Sequence, residues 1–74
     1  MPFVNIKLIE KTLTDAQKSD MIQKVTDAVV SVEGENLRPV TWVVLEEVLS
    51  GDCGIGGKGL TSADVKALAA GKTS

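Results

Sequence analysis

Seventy-four residues with one cysteine, no histidine and a formal net charge of −2 exclude several classes of protein at once. A disulfide within the chain is ruled out, a zinc cluster lacks its ligands, and one arginine in an acidic chain is a poor electrostatic footprint for nucleic acid. No apolar run approaches the ~20 residues of a membrane span, and no signal-peptide pattern opens the chain. With 43% apolar and 24% charged residues, the composition is that of a globular chain rather than a disordered one. The expectation is a single domain over residues 1–74, cytoplasmic, without cofactor or metal. A chain this short buries only about 60% of its unfolded surface. Without disulfides or metal, self-association is the remaining route to stability.

Residues 3–10 alternate as a strand. Val4, Ile6 and Leu8 form a wholly apolar face, while Phe3, Asn5, Lys7 and Ile9 form a mixed one. A short connection, Lys11-Thr12-Leu13, leads into Thr14-Asp15-Ala16-Gln17, which fits a capping box with Thr14 as N-cap and Gln17 at the third helical position. Met21, Ile22, Val25, Ala28, Val29 and Val32 then make one apolar stripe, and Gly34 suits the helix end. The helix is predicted over 15–33. Val30 falls off the stripe and is a candidate for a subunit contact.

Gly34 to Pro39 reads as a loop and Val40 to Leu49 as a second strand. Its faces, Val40/Trp42/Val44 and Thr41/Val43/Leu45, are both apolar-rich. Both sides therefore need cover, and one helix supplies only one. Strand, helix and strand make a βαβ unit, whose right-handed crossover implies parallel strands. Ser50-Gly51-Asp52 marks a turn, Gly54-Ile55-Gly56-Gly57-Lys58-Gly59 a glycine-dense bend, and Thr61-Ser62-Ala63-Asp64 a second helix start that ends at Gly71. This tail helix is too short to stand alone and must dock. The fold class is α/β, a β-α-β subunit with a short C-terminal hairpin and helix, pairing into a larger sheet in an oligomer.

Few residues carry chemistry. Gly54-x-Gly56-x-x-Gly59 matches the dinucleotide fingerprint in form, but too little chain follows for the βαβ context that fingerprint needs. The glycines are read as bends. Glu46 and Glu47 are adjacent on a strand and point to opposite faces, so they cannot pair within one chain. Cys53 lacks a histidine to activate it and reads as a small turn residue. Trp42 is either interface packing or a pocket wall. Pro2 is either the plain start of a strand or, after removal of Met1, a free secondary amine. An α-amino group titrates near about 8 when unperturbed, and apolar walls or a nearby cation lower that value.

Pro2 at a processed terminus, the Asp15-Ala16-Gln17-Lys18 helix start and the Gly54-Ile55-Gly56-Gly57 turn together resemble the 4-oxalocrotonate tautomerase family over about residues 2–60. The resemblance implies short subunits that pair into a four-stranded sheet, with three pairs making a hexamer. It also implies that Pro2 is a general base and acid that moves a proton in a small keto–enol acid. In that family an arginine soon after the first strand and another on the second strand of a neighbouring subunit hold the substrate's acidic groups, and an aromatic residue before the glycine turn walls the pocket. Here those positions fall in Lys11-Thr12-Leu13, on Trp42 and on Cys53. Lysine does not reproduce the bidentate fork of arginine. The expectation is therefore a tautomerase acting on a small acidic molecule in a more apolar pocket. Lys11 or Arg38 would be its anion contact, and Trp42 and Cys53 would line it. Pro2-dependent hydration, dehalogenation or decarboxylation is a second reading, and a non-catalytic assembly subunit a third.

Overall fold

The computed structural model describes residues 1–71. Strand β1 (Phe3–Ile9) and strand β2 (Trp42–Val48) pair in parallel, in a register running from Phe3↔Trp42 to Ile9↔Val48. Helix α1 (Asp15–Glu33) makes the crossover. The ladder is closed at both ends by backbone bonds, Trp42 N–H to the Pro2 carbonyl at 3.0 Å and Glu10 N–H to the Val48 carbonyl at 2.7 Å. Val4, Ile6 and Leu8 are half-buried, as are Val43 and Leu45 opposite the first two. Phe3, Asn5 and Lys7 on the other face stay exposed.

Both bonds of the capping box form. Gln17 N–H donates to Thr14 Oγ1 at 3.1 Å, and Thr14 N–H donates to Gln17 Oε1 at 2.9 Å. Gly34, at φ 106°, ends the helix with its N–H on the Val30 carbonyl.

The helix is rolled relative to the expected stripe. Val30, expected off the stripe as a subunit contact, is 3% exposed and is the one buried apolar residue among the described residues, whereas Val32, expected on the stripe, is 87% exposed. The cause is the next segment. Residues Glu35–Val40 are not an irregular loop but a 3₁₀ turn that packs back against α1. Pro39 fits there because it sits where the turn asks for no N–H; the bonds run from Leu37 N–H to the Gly34 carbonyl and from Thr41 N–H to the Arg38 carbonyl. The same turn delays β2 to Trp42, since Thr41 spends its N–H on Arg38 and its hydroxyl on Leu37.

After β2 the chain turns through Gly51 into a hairpin of β3 (Cys53–Ile55) and β4 (Lys58–Leu60). Gly56 and Gly57 form its two-residue turn at φ 59° and 85°, the pair of positive φ values that a type I′ turn requires. A side chain at Gly59 would meet the Gly51 carbonyl oxygen at 3.0 Å, so backbone proximity explains that glycine. Helix α2 (Ser62–Ala69) has its own capping box between Thr61 and Asp64. It is tied to the body by Ser62 Oγ on the Glu10 carbonyl and Ser62 N–H on Ser50 Oγ, and Glu10 Oε2 in turn accepts Ser50 N–H. Its apolar side is only partly docked, with Val65 half-buried and Leu68 exposed.

The molecule is elongated, 44 × 22 × 19 Å, with a radius of gyration of 14.9 Å against about 11 Å for a compact chain of this length. It presents 5388 Å² to solvent, roughly 1,000 Å² more than a folded monomer of this size exposes.

Glu46 and Glu47 do face opposite ways. Glu47 accepts Lys18 Nζ from α1 at 2.7 Å, while Glu46 accepts the Asn5 side chain across the other face. The hydrogen bond and charge of Lys18 hold the Glu47 carboxyl below its ordinary value.

Val30→Ala is expected to cost about 2 kcal/mol of unfolding free energy, and Thr14→Ala about 1 kcal/mol, both read from urea denaturation. A lowered carboxyl pKa adds stability that is fully present above the unfolded carboxylate range of about 4.3 and is lost as pH falls through the lowered value. The stability difference between wild type and Lys18→Met should therefore be constant from neutral pH down to the carboxylate range and vanish in acid.

Candidate active site

The amino end of β1 gathers Pro2 and Trp42, with Arg38 nearby. Pro2 is half-buried and precedes the first ladder rung. Its carbonyl accepts Trp42 N–H at 3.0 Å, so the backbone of Trp42 is a direct neighbour of Pro2 within one chain. Phe3 and Trp42 are register partners, and their rings stack with centroids 6.2 Å apart and planes inclined by 23°. Both remain largely open, at 63% and 52% exposure. In a parallel ladder, partners share a face, so this aromatic pair lies on the side of the sheet away from α1. Val44 continues that face beside Asn5, and Lys7 stands opposite Glu46.

Arg38 lies just before β2, at the Pro2 end, and three of the five N–H groups of its guanidinium are engaged. Nε and Nη2 donate to the two oxygens of Glu35 at 2.9 and 3.1 Å, and Nη1 donates to Asp27 at 2.7 Å. Glu35 first and Asp27 second push its pKa above the ordinary arginine value. The fork that would grip a substrate carboxylate is filled by two of the protein's own.

Lys11 and Cys53 occupy the opposite end of the sheet. The seven residues of β1 put roughly 20 Å or more between them and Pro2 of the same chain. Lys11 has φ 60°, unusual for a residue with a side chain, and its backbone N–H points at Glu47 Oε2 at 3.4 Å. Its side chain is exposed and makes no ion pair among those of the described residues. Cys53 is a free, exposed thiol at the start of β3, opposite Leu60.

One chain therefore joins Pro2 with Trp42, leaves Arg38 nearby but committed, and sends Lys11 and Cys53 to the far end. Phe3 was legible only as a strand residue. Its partnership with Trp42 depends on the register, which no local pattern specifies. A groove of about 310 Å³ runs along α1, lined by Leu13, Gln17, Asp20, Met21, Lys24 and Val25. It contains none of the candidate residues. Among the described residues, no cluster of histidine, cysteine or carboxylate side chains could hold a metal ion, and no helix is long and apolar enough to cross a membrane.

Three comparisons bear on the family and the fold. The family model described as tautomerase enzyme matches residues 2–63, so most of α2 lies beyond it. Probable tautomerase K2 of Dickeya dadantii is 39% identical over 61 residues, spanning 82% of this chain and 90% of that protein. A probable tautomerase of Helicobacter pylori is 37% identical over 62 residues, spanning 81% and 90%. Among solved structures, DmpI from Helicobacter pylori superposes with a TM-score of 0.70 at 36% identity, covering 80% of this chain and 95% of that one. YwhB, a homologue of 4-oxalocrotonate tautomerase, gives 0.70 at 32% identity, covering 85% and 97%. With the β-α-β unit, the hairpin and Pro2 at the head of the ladder all inside the matched region, the chain belongs to the tautomerase family.

Proposed function

We propose that this protein, once Met1 is removed, is a tautomerase whose Pro2 nitrogen carries a proton between oxygen and carbon of a small enol acid. The observation that carries the reading is the placement of Pro2 at the head of the parallel ladder, half-buried beside an open aromatic pair, in a member of the tautomerase family. Met1 is exposed, and removing it converts an amide nitrogen, which is not basic, into a secondary amine.

The chemistry then balances. The amine takes the proton of the enol hydroxyl, breaking the O–H bond and leaving an enolate whose charge is shared with carbon. The ammonium returns that proton to carbon, forming a C–H bond and the ketone, and the amine is regenerated. A positioned acid–base group of this kind contributes about 10²–10⁴-fold to rate.

The expected assembly is a hexamer built from three pairs, and the extra solvent-facing area supports association. Antiparallel pairing of two copies through β1, centred on Ile6, brings the Lys11 and Cys53 end of one chain to the Pro2 of the other. Lys11 then supplies the cation for the substrate's carboxylate. Cys53 leaves room where the resemblance places an aromatic wall. Arg38 is the weaker anion contact because Glu35 and Asp27 already fill its fork. Hydration or dehalogenation needs a carboxylate free to position water. Glu46 is held by Asn5 and Glu47 by Lys18, which favours plain proton transfer.

On protein shown by intact mass to lack Met1, ketonisation of phenylenolpyruvate is expected, with kcat/KM falling as acid protonates the amine. Pro2→Ala should lower kcat about 100-fold or more; equal rates for the two proteins would remove Pro2 from the mechanism. Sedimentation at micromolar concentration should report six chains, and a monomer would leave Lys11 without a Pro2 to serve.

A further inference from the structure

We infer that helix α2 crosses onto a second copy of the chain and covers its Phe3–Trp42 ring pair, with Val65 over the partner's Phe3 and Leu68 over the partner's Trp42. The inference rests on the antiparallel β1 pairing proposed above and gives a role to the helix that begins where the matched family segment ends.

The ladder fixes which backbone groups β1 offers a neighbour. Trp42 N–H bonds the Pro2 carbonyl and Glu10 N–H bonds the Val48 carbonyl, so the even-numbered residues of β1 turn their backbone groups toward β2. The odd-numbered ones, Phe3, Asn5, Lys7 and Ile9, turn theirs to the free edge. Pairing all seven residues of the strand antiparallel to a copy of itself sets Phe3 opposite the partner's Ile9. The two form a hydrogen-bonded pair and share a face. Ile9 is also in register with Val48, and Phe3 with Trp42. One apolar row therefore runs across all four strands: Val48, Ile9, the partner's Phe3 and the partner's Trp42. The two-fold axis repeats the row at the other end of the sheet, and the polar Asn5, Lys7 and Glu46 lie between the two.

Within one subunit each row is only half covered. Phe3 and Trp42 are exposed, whereas Ile9 and Val48 on the same face are half-buried although α1 lies on the other side. The chain that returns to this corner is the junction where Ser62 bonds the Glu10 carbonyl and Ser50 N–H bonds the Glu10 carboxylate. Helix α2 thus starts beside Ile9, at the point where the row passes to the partner. Eight residues do not hold as a helix without docking, yet its own subunit leaves Leu68 57% exposed. The reach of the helix matches the row. Val65 and Leu68 lie about 4.5 and 9 Å along the axis from Ser62, and successive strands are about 4.8 Å apart. Val65 then falls one strand over, on the partner's Phe3, and Leu68 two strands over, on the partner's Trp42. The contact removes from water the stacked rings and the leucine that a lone subunit exposes.

Trp42 is the single tryptophan of the chain, so its fluorescence reads this cover directly. In the assembled protein acrylamide is expected to quench it weakly. Leu68→Asp changes a residue that the subunit leaves exposed. It should raise the quenching constant roughly twofold or more, because it uncovers an indole that is 52% open in the free subunit. Sedimentation should still report assembled chains, and Leu68→Met should quench as wild type does. In a Cys53→Ser background, oxidation of Leu68→Cys with Trp42→Cys should give a two-chain product, as should Val65→Cys with Phe3→Cys, and none of the four changes alone should.

Unchanged quenching in Leu68→Asp, a link closed within one chain, or a ladder of three or more chains would overturn the inference. The ladder does so because it places α2 on a subunit other than the β1 partner. Failure of the underlying pairing looks different: the protein sediments as a monomer, neither link forms, and the inference falls with the β1 pair. Failure of the inference alone leaves the assembly intact, with Trp42 as quenchable in wild type as in Leu68→Asp.

Discussion

The backbone bond from Trp42 to Pro2 is the constraint on which the rest depends. A parallel ladder of two strands has its register set by where it begins, and that bond is where it begins. It aligns Phe3 with Trp42 and stacks the two rings. It also puts Val43 and Leu45 on the same face as Val4 and Ile6, so that one helix covers all four. The 3₁₀ turn before β2 serves the same end. By consuming the N–H and hydroxyl of Thr41 it leaves Trp42 as the first residue free to join the sheet. The ion pair of Arg38 to Asp27 holds that turn against α1, and its pair to Glu35 braces the turn internally. Such exposed pairs are individually weak, but their job is alignment more than stability. The arginine that could have served a substrate serves the strand register.

A second constraint is size. With one buried apolar residue among the described residues and an open aromatic face, the subunit has little core of its own. Both strands keep a free edge, because each pairs only with the other. An edge of unpaired N–H and C=O groups invites another strand. In the assembly proposed above, pairing of edges and covering of the aromatic face would draw on the same subunit surfaces that surround Pro2, which would make assembly and site construction one process.

Much of this was legible in the sequence. Thr14-Asp15-Ala16-Gln17 and Gly34 marked α1 at both ends because caps are local chemistry. The alternation of Val4, Ile6 and Leu8 named the covered face of β1. The glycine run announced bends, and two of its members form the hairpin turn. What stayed hidden depends on contacts across the chain. Val30 and Val32 exchange roles because the cover over α1 comes partly from the 3₁₀ turn, and helical spacing alone does not say from which side cover arrives. The turn itself hides in Glu35-Asn36-Leu37-Arg38-Pro39-Val40, whose proline reads as a loop signal. Pro2 and Trp42 could be named as candidates, but their backbone adjacency needed the register, and the engagement of Arg38 needed its two carboxylates in space.

The junction at Ser62 has a consequence of another kind. Helix α2 begins where the matched family segment stops, and it holds to the body through Ser62, Ser50 and Glu10. None of these bonds belongs to the β1–β2 ladder. A polar hinge of this sort lets a lineage lengthen, shorten or replace its carboxyl-terminal appendage without renegotiating the core. The proposed mechanism asks the opposite of the amino end, since a single residue left in front of Pro2 keeps its nitrogen an amide, which is not basic.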